Sequence, residues 1–168
     1  MSAVSVSRTS DRAIGAYAVQ GAIGGVVAGA MMAMAEMVWS AAAGMGFWMP
    51  LQMMASVPIG KMPPEIGLGT AIPLGMMTHM VMSMMFGIVF AIVVYAVPAL
   101  RSRATLLASA TVYGFMLWAM NFFIVAPILG RPWFAESDSV QQVVSHAMFF
   151  GTVLGLYLSI RVTSSSRA

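Results

Sequence analysis

The chain has no cysteine among its 168 residues. That single absence removes disulfides, thiolate metal ligands and thiol nucleophiles together. Charge is almost as scarce, with Asp, Glu, Lys and Arg making up 8% of the residues against about 25% in soluble domains. The net charge of +3 comes from basic residues scattered at the ends of apolar runs. They form no cluster with aromatics, which argues against a nucleic-acid surface. No Gly-x-Ser-x-Gly, His-Glu-x-x-His or glycine-rich phosphate loop occurs, so the common hydrolase and nucleotide signatures are missing too.

What is present is apolar. Hydrophobic residues make up 60% of the chain and the mean hydropathy is +0.90, values of an integral membrane protein. Four runs, at about 13–44, 70–97, 104–126 and 140–160, are each long enough to cross a bilayer. They predict an all-α, up-down four-helix membrane bundle in one domain over 13–161. A disordered Ser-rich tail is expected at 1–12 and a loose one at 162–168. The first run is too long for a signal-peptide core and reads as a retained helix. In the long 44–69 connection, Pro50 can open a short interfacial helix through Ser56, and Trp48 suits the headgroup belt. Pro98 ends the second helix, the third stops before Pro127, and Ser137 or Ser139 caps the fourth. Arg8, Arg12, Arg101, Arg103, Arg161 and Arg167 flank one end of the bundle, and Lys61 and Arg131 the other. The positive-inside rule then puts both termini in the cytoplasm.

Each predicted span carries one strongly polar side chain: Glu36, His79, Asn121 and His146 in turn. Such groups are costly in hydrocarbon and mark function by default. Counted at helical rise from the expected span ends, they lie about 8–14 Å inside the outer boundary, at one level. Ser83 follows His79 by one turn, Trp118 precedes Asn121 by three residues, and Met80 and Trp39 adjoin His79 and Glu36; these four are expected to surround the site. Gly21, Gly25 and Gly29 recur every fourth residue, a groove for close helix approach. On so small a protein the groove fits a homo-oligomer or a larger membrane complex.

Two imidazoles and a carboxylate make a plausible ligand set for copper or iron, with Asn121 as fourth ligand or orienter. A bis-His b-haem between the diagonal second and fourth helices is the alternative. A ligand-free assembly subunit, its polar groups fixing helix register, is the third reading. The chain has 19 methionines. They are flexible apolar filler on one view and soft ligands that favour Cu(I) on the other. Transport is disfavoured, because the cytoplasmic halves of the spans hold no ionisable Asp, Glu, His or Lys to relay charge. A Ser83–His79–Glu36 triad fails on geometry, since Ser83 and His79 share one helix face. An enzyme is not indicated.

Several short strings, Trp48-x-Pro50-Leu51, His79-x-x-x-Ser83-x-x-Phe86-Gly87, Tyr113-Gly114, Asn121-Phe122, Pro132-Trp133-Phe134 and His146-x-x-x-Phe150-Gly151, run from the first helix to the fourth. In these the chain resembles small four-span bacterial membrane proteins loosely labelled symporter-like. The resemblance implies a multi-pass protein of the bacterial cytoplasmic membrane and brings no activity, cofactor or catalytic residue. A sodium symporter would be longer, with broken helices and repeats.

Overall fold

The computed structural model describes the backbone of residues 3–164 and the side chains of residues 13–161. Among the described residues every element is helical. Helix α1 covers Ala3–Ala42, α2 Met49–Ile59, α3 Leu68–Ala96, α4 Arg103–Ile128 and α5 Ser139–Arg161, its backbone staying helical to Ser164. Four segments are long and apolar enough to cross a membrane: Ala13–Ala42, Leu68–Ala96, Arg103–Ile128 and Ser139–Arg161. Only helices satisfy their own backbone polar groups along such a run. The protein is an all-helical, multi-pass membrane bundle.

Five boundaries differ from expectation. The backbone of α1 is helical from Ala3, where a disordered tail was expected. No Pro or Gly interrupts residues 3–14, and extending an existing helix is easy once its nucleus has formed downstream. At the other end the helical backbone enters the expected 162–168 tail as far as Ser164, and residues 165–168 lie outside the described residues. Helix α4 does not stop before Pro127. A wide turn with i→i+5 bonding over Asn121–Val125 opens the ladder just ahead of the proline and accommodates its ring. The cap of α5 is neither Ser137 nor Ser139 but Asp138, whose carboxylate accepts the Gln141 N–H at 2.9 Å, as N-cap carboxylates do. Helix α2 runs past Ser56 to Ile59 and ends at Gly60 with φ 79°, a left-handed conformation that favours glycine.

Small residues decide which helices touch. Gly21 and Gly25 of α1 face the backbone of Gly87 and Ser83 of α3, and Gly29 faces the side chains of Ser83 and His79. Gly114 of α4 lies against His146 and Ala147 of α5, and Gly151 of α5 against Ala110 and Thr111 of α4. Helix α5 also packs on α1, with Tyr157 against Gly24 and its hydroxyl donating to Gln20 Oε1 at 3.0 Å. The α3–α4 seam is looser. It is closed by the stacked rings of Phe90 and Tyr113 and by the Tyr113 hydroxyl donating to the Phe86 carbonyl at 3.0 Å. The helices thus stand in a square, with α1 diagonal to α4 and α3 diagonal to α5. Its core of Met32, Phe90, Val94, Leu106, Leu117, Phe150, Leu154 and Leu158 draws on all four. Outside, α4 exposes Val112, Phe115, Met116, Phe123 and Ile124, a face suited to lipid.

Helix α2 is not a free surface element. Leu51 and Ala55 are buried, the Leu51 carbonyl lies on Gly75 of α3, and Ala55 packs with Ile66, Ala71 and Leu74. It roofs the end of the square where the long connections lie.

Candidate functional site

Beneath that roof is a cavity of about 610 Å³, within the roughly 300–1,000 Å³ of small-molecule sites. Glu36, His79, Asn121 and His146 all line it. So do Ser83 and Trp39, whereas Trp118 and Met80 do not. Met80 is turned about 100° from His79 on the helix, and the residues that share the His79 side are Met82, Ser83 and Phe86.

The four polar residues form two tiers rather than one plane. His79 donates from Nε2 to the Gly29 carbonyl of α1 at 2.9 Å. Glu36 is seven residues further along α1, a rise of about 10 Å. Glu36 Oε2 instead meets α5 near its start, accepting from Gln141 Nε2 at 2.8 Å and Gln142 Nε2 at 3.1 Å. His146 lies one turn below Gln142 and donates from Nδ1 to the Gln142 carbonyl at 2.9 Å. Gln142 therefore links Glu36 to His146, by its side chain to one and its backbone to the other. Phe122, next to Asn121, sets its ring edge-on to His146 at 5.8 Å. The levels separate because His79 lies eleven residues into α3, which starts at Leu68, whereas Glu36 lies six residues before the end of α1 at Ala42. Among the described residues, no three His, Asp or Glu side chains stand close enough to hold one metal ion. The expected Glu36–His79–His146 set is thus drawn to one cavity but not around one point.

Several polar atoms are left over. Glu36 and His146 are buried, at 8% and 9% exposure. Glu36 Oε1 and Asn121 Oδ1 are buried without a hydrogen-bond partner. His146 uses Nδ1–H on its own helix, which makes Nε2 the acceptor nitrogen of the neutral ring. Trp118 Nε1 is a buried donor without a partner, three residues before Asn121. Asn121 and His146 both sit in wide i→i+5 turns, Asn121–Val125 and Ser145–Thr152, of a kind frequent at functional sites.

Sequence reasoning missed Gln141, Gln142 and the residues that hold the roof. The signal for Gln142 is its spacing of one helical turn before His146. The roof is held by Arg131, which donates from Nε to Ser56 O at 3.1 Å and Val57 O at 3.2 Å, and from Nη2 to Val57 O at 2.9 Å. Trp133 Nε1 donates to Ser56 Oγ at 3.0 Å, and Arg131 lies over the Trp133 ring at 5.9 Å. Arginine satisfies the last carbonyls of α2 with a planar fork that lysine lacks. Arg131→Lys is therefore expected to loosen α2, raising tryptic cleavage after Lys61 by about tenfold, the size of one lost charge-assisted bond. An unchanged cleavage rate would mean that the apolar contacts of Leu51 and Ala55 hold the roof alone.

No protein-family profile matches the chain, and no curated protein and no solved structure is significantly similar to it.

Proposed function

We propose that this protein binds a transition-metal ion, copper or iron, in the roofed cavity, for metal handling or redox support beside a larger membrane complex. Both termini would be cytoplasmic, α2 would lie at the outer interface of a bacterial inner membrane, and the cavity would face outward. Six basic residues at the termini end against two at the roof support that orientation. The observation that carries the metal reading is a pair of buried acceptors without hydrogen bonds on one cavity, Glu36 Oε1 and Asn121 Oδ1, with the His146 ring on the same lining and engaged through Nδ1. Helical side chains lean toward their own N-terminus. Glu36 and Asn121, on α1 and α4, lean inward from the upper tier, while His146 on α5 leans outward from the lower one. Nδ1–H held by a backbone carbonyl and Nε2 left free is the arrangement of a metal-bound histidine. His79 has no such role here, because its Nε2 already ties α3 to α1.

Metal analysis of the protein purified in detergent tests this. Stoichiometric copper or iron is expected, lost in His146→Ala and retained in His79→Ala, which loses stability instead. Equal loss in both variants, or a metal-free parent under copper and iron supplementation, would overturn it. A b-haem is the second reading, favoured by the cavity volume and the free His146 Nε2. It would bind through one histidine, since ligation by His79 Nε2 breaks the Gly29 bond, and a Soret band lost in His146→Ala would establish it.

A further inference from the structure

We infer that the cavity is built for a soft monovalent metal, Cu(I), through methionines that α2 brings over the polar donors. The inference rests on the metal reading above and names its substrate. The chain has no cysteine, so thioethers are its only soft ligands, and soft ligands select Cu(I). Some methionines face outward and others line the cavity, and Met45 and Met62 do both, lining it while 52% and 45% exposed. Met31, Met34, Met77, Met85, Met116 and Met148 are about half exposed on the outside of the spans, where they meet lipid. Met32, Met49, Met53, Met54 and Met82 line the cavity. Their positions follow from helix geometry. Met32 is one turn before Glu36 on α1, Met82 three residues after His79 on α3, and Met49 and Met53 one turn apart on α2. Thioethers thus come from the roof and from two walls of the cavity that Glu36 and His146 also line. The unpaired Glu36 Oε1 and the His146 ring, whose Nδ1 is engaged by Gln142, belong to side chains more than nine-tenths buried and offer oxygen and nitrogen donors to such an ion. Roof methionines on a helix clipped by Arg131 give the ion an entry that can open without disturbing the spans.

The test uses the full chain in detergent, with Ag(I) as a redox-inert stand-in for Cu(I) and Co(II) as a borderline probe of the imidazole and carboxylate. Leucine nearly matches methionine in volume. A Met49→Leu/Met53→Leu/Met54→Leu triple variant therefore removes sulfur while keeping the roof packed, which circular dichroism and unchanged cleavage after Lys61 verify. Competition against a chromophoric chelator is expected to show Ag(I) and Cu(I) binding at least tenfold weaker in the triple variant. Co(II) binding should change less than twofold, and a lipid-facing Met31→Leu/Met34→Leu control should bind Ag(I) like the parent. Equal Ag(I) affinity in parent and triple variant would overturn the inference. A parent that binds Co(II) but not Ag(I) would sink it alone; one that binds neither would sink the metal reading as well.

Discussion

Gly25→Leu is expected to break the α1–α3 pair within one protein chain, not a contact between chains. A Cβ at Gly25 would collide with the Ser83 carbonyl oxygen and lie 3.1 Å from the Gly87 Cα. The same holds in reverse, since a Cβ at Gly87 would lie 2.7 Å from the Gly25 Cα. Both obstacles are backbone and cannot rotate away. Overpacking a core costs about 1–3 kcal/mol where side chains can shift, so about 3 kcal/mol or more is expected here. That corresponds to a fall of roughly 6–12 °C in Tm for a chain of this size. Separating the helices would also cut the His79–Gly29 bond, worth about 0.6 kcal/mol on average between membrane helices. Gly15→Leu, where nothing lies within 4 Å, serves as control and should leave Tm unchanged. Thermal unfolding in detergent with light scattering reads both quantities. A preserved Tm with a smaller oligomer would return the groove to an external partner.

That example marks where sequence reading succeeds and where it stops. The four-residue glycine period identifies a face that something approaches closely, but periodicity does not say what approaches. The groove is taken by α3 of the same chain, which carries the matching small residues Ser83, Gly87 and Ala91. The spans were legible because hydrocarbon allows no other secondary structure for a long apolar run. The level of the polar residues was not. Depth counted from Gly44 and Thr70 assumes that those residues end their helices at one height, whereas Gly29 pairs with His79 and Gly21 with Gly87. On that register Thr70 stands beside a point well inside α1, and the displaced length is occupied by α2. The amides that complete Glu36 were visible as residues but not as partners. Gln141 and Gln142 read as an ordinary polar first turn until α1 brings a carboxylate against them.

Glu36 separates a ligand site from a register device most cleanly, because two substitutions there have opposite signatures. In Glu36→Leu the Gln141 and Gln142 amides lose their only shared acceptor. Orphaned buried donors cost about 1–3 kcal/mol each, so the variant should be destabilised by about 2 kcal/mol or more, and α5 should loosen at its start. Glu36→Gln keeps an amide oxygen in the place of Oε2 and can accept from the same two donors, so its stability should stay within about 0.5 kcal/mol of the parent. What it removes is the anionic Oε1 toward the cavity. Under the metal reading, affinity should fall by a factor of about 100 or more, because a carboxylate ligand has been exchanged for a weak neutral one and even outer-shell losses cost 10–100-fold. Under the register reading the same variant should behave as the parent in every assay. Unfolding midpoints on the two variants check the hydrogen bonds that both readings share, and the metal titration of Glu36→Gln separates the readings. Glu36→Gln at full stability with undiminished metal binding would remove the carboxylate from the site, leaving His146, Asn121 and the thioethers as candidates.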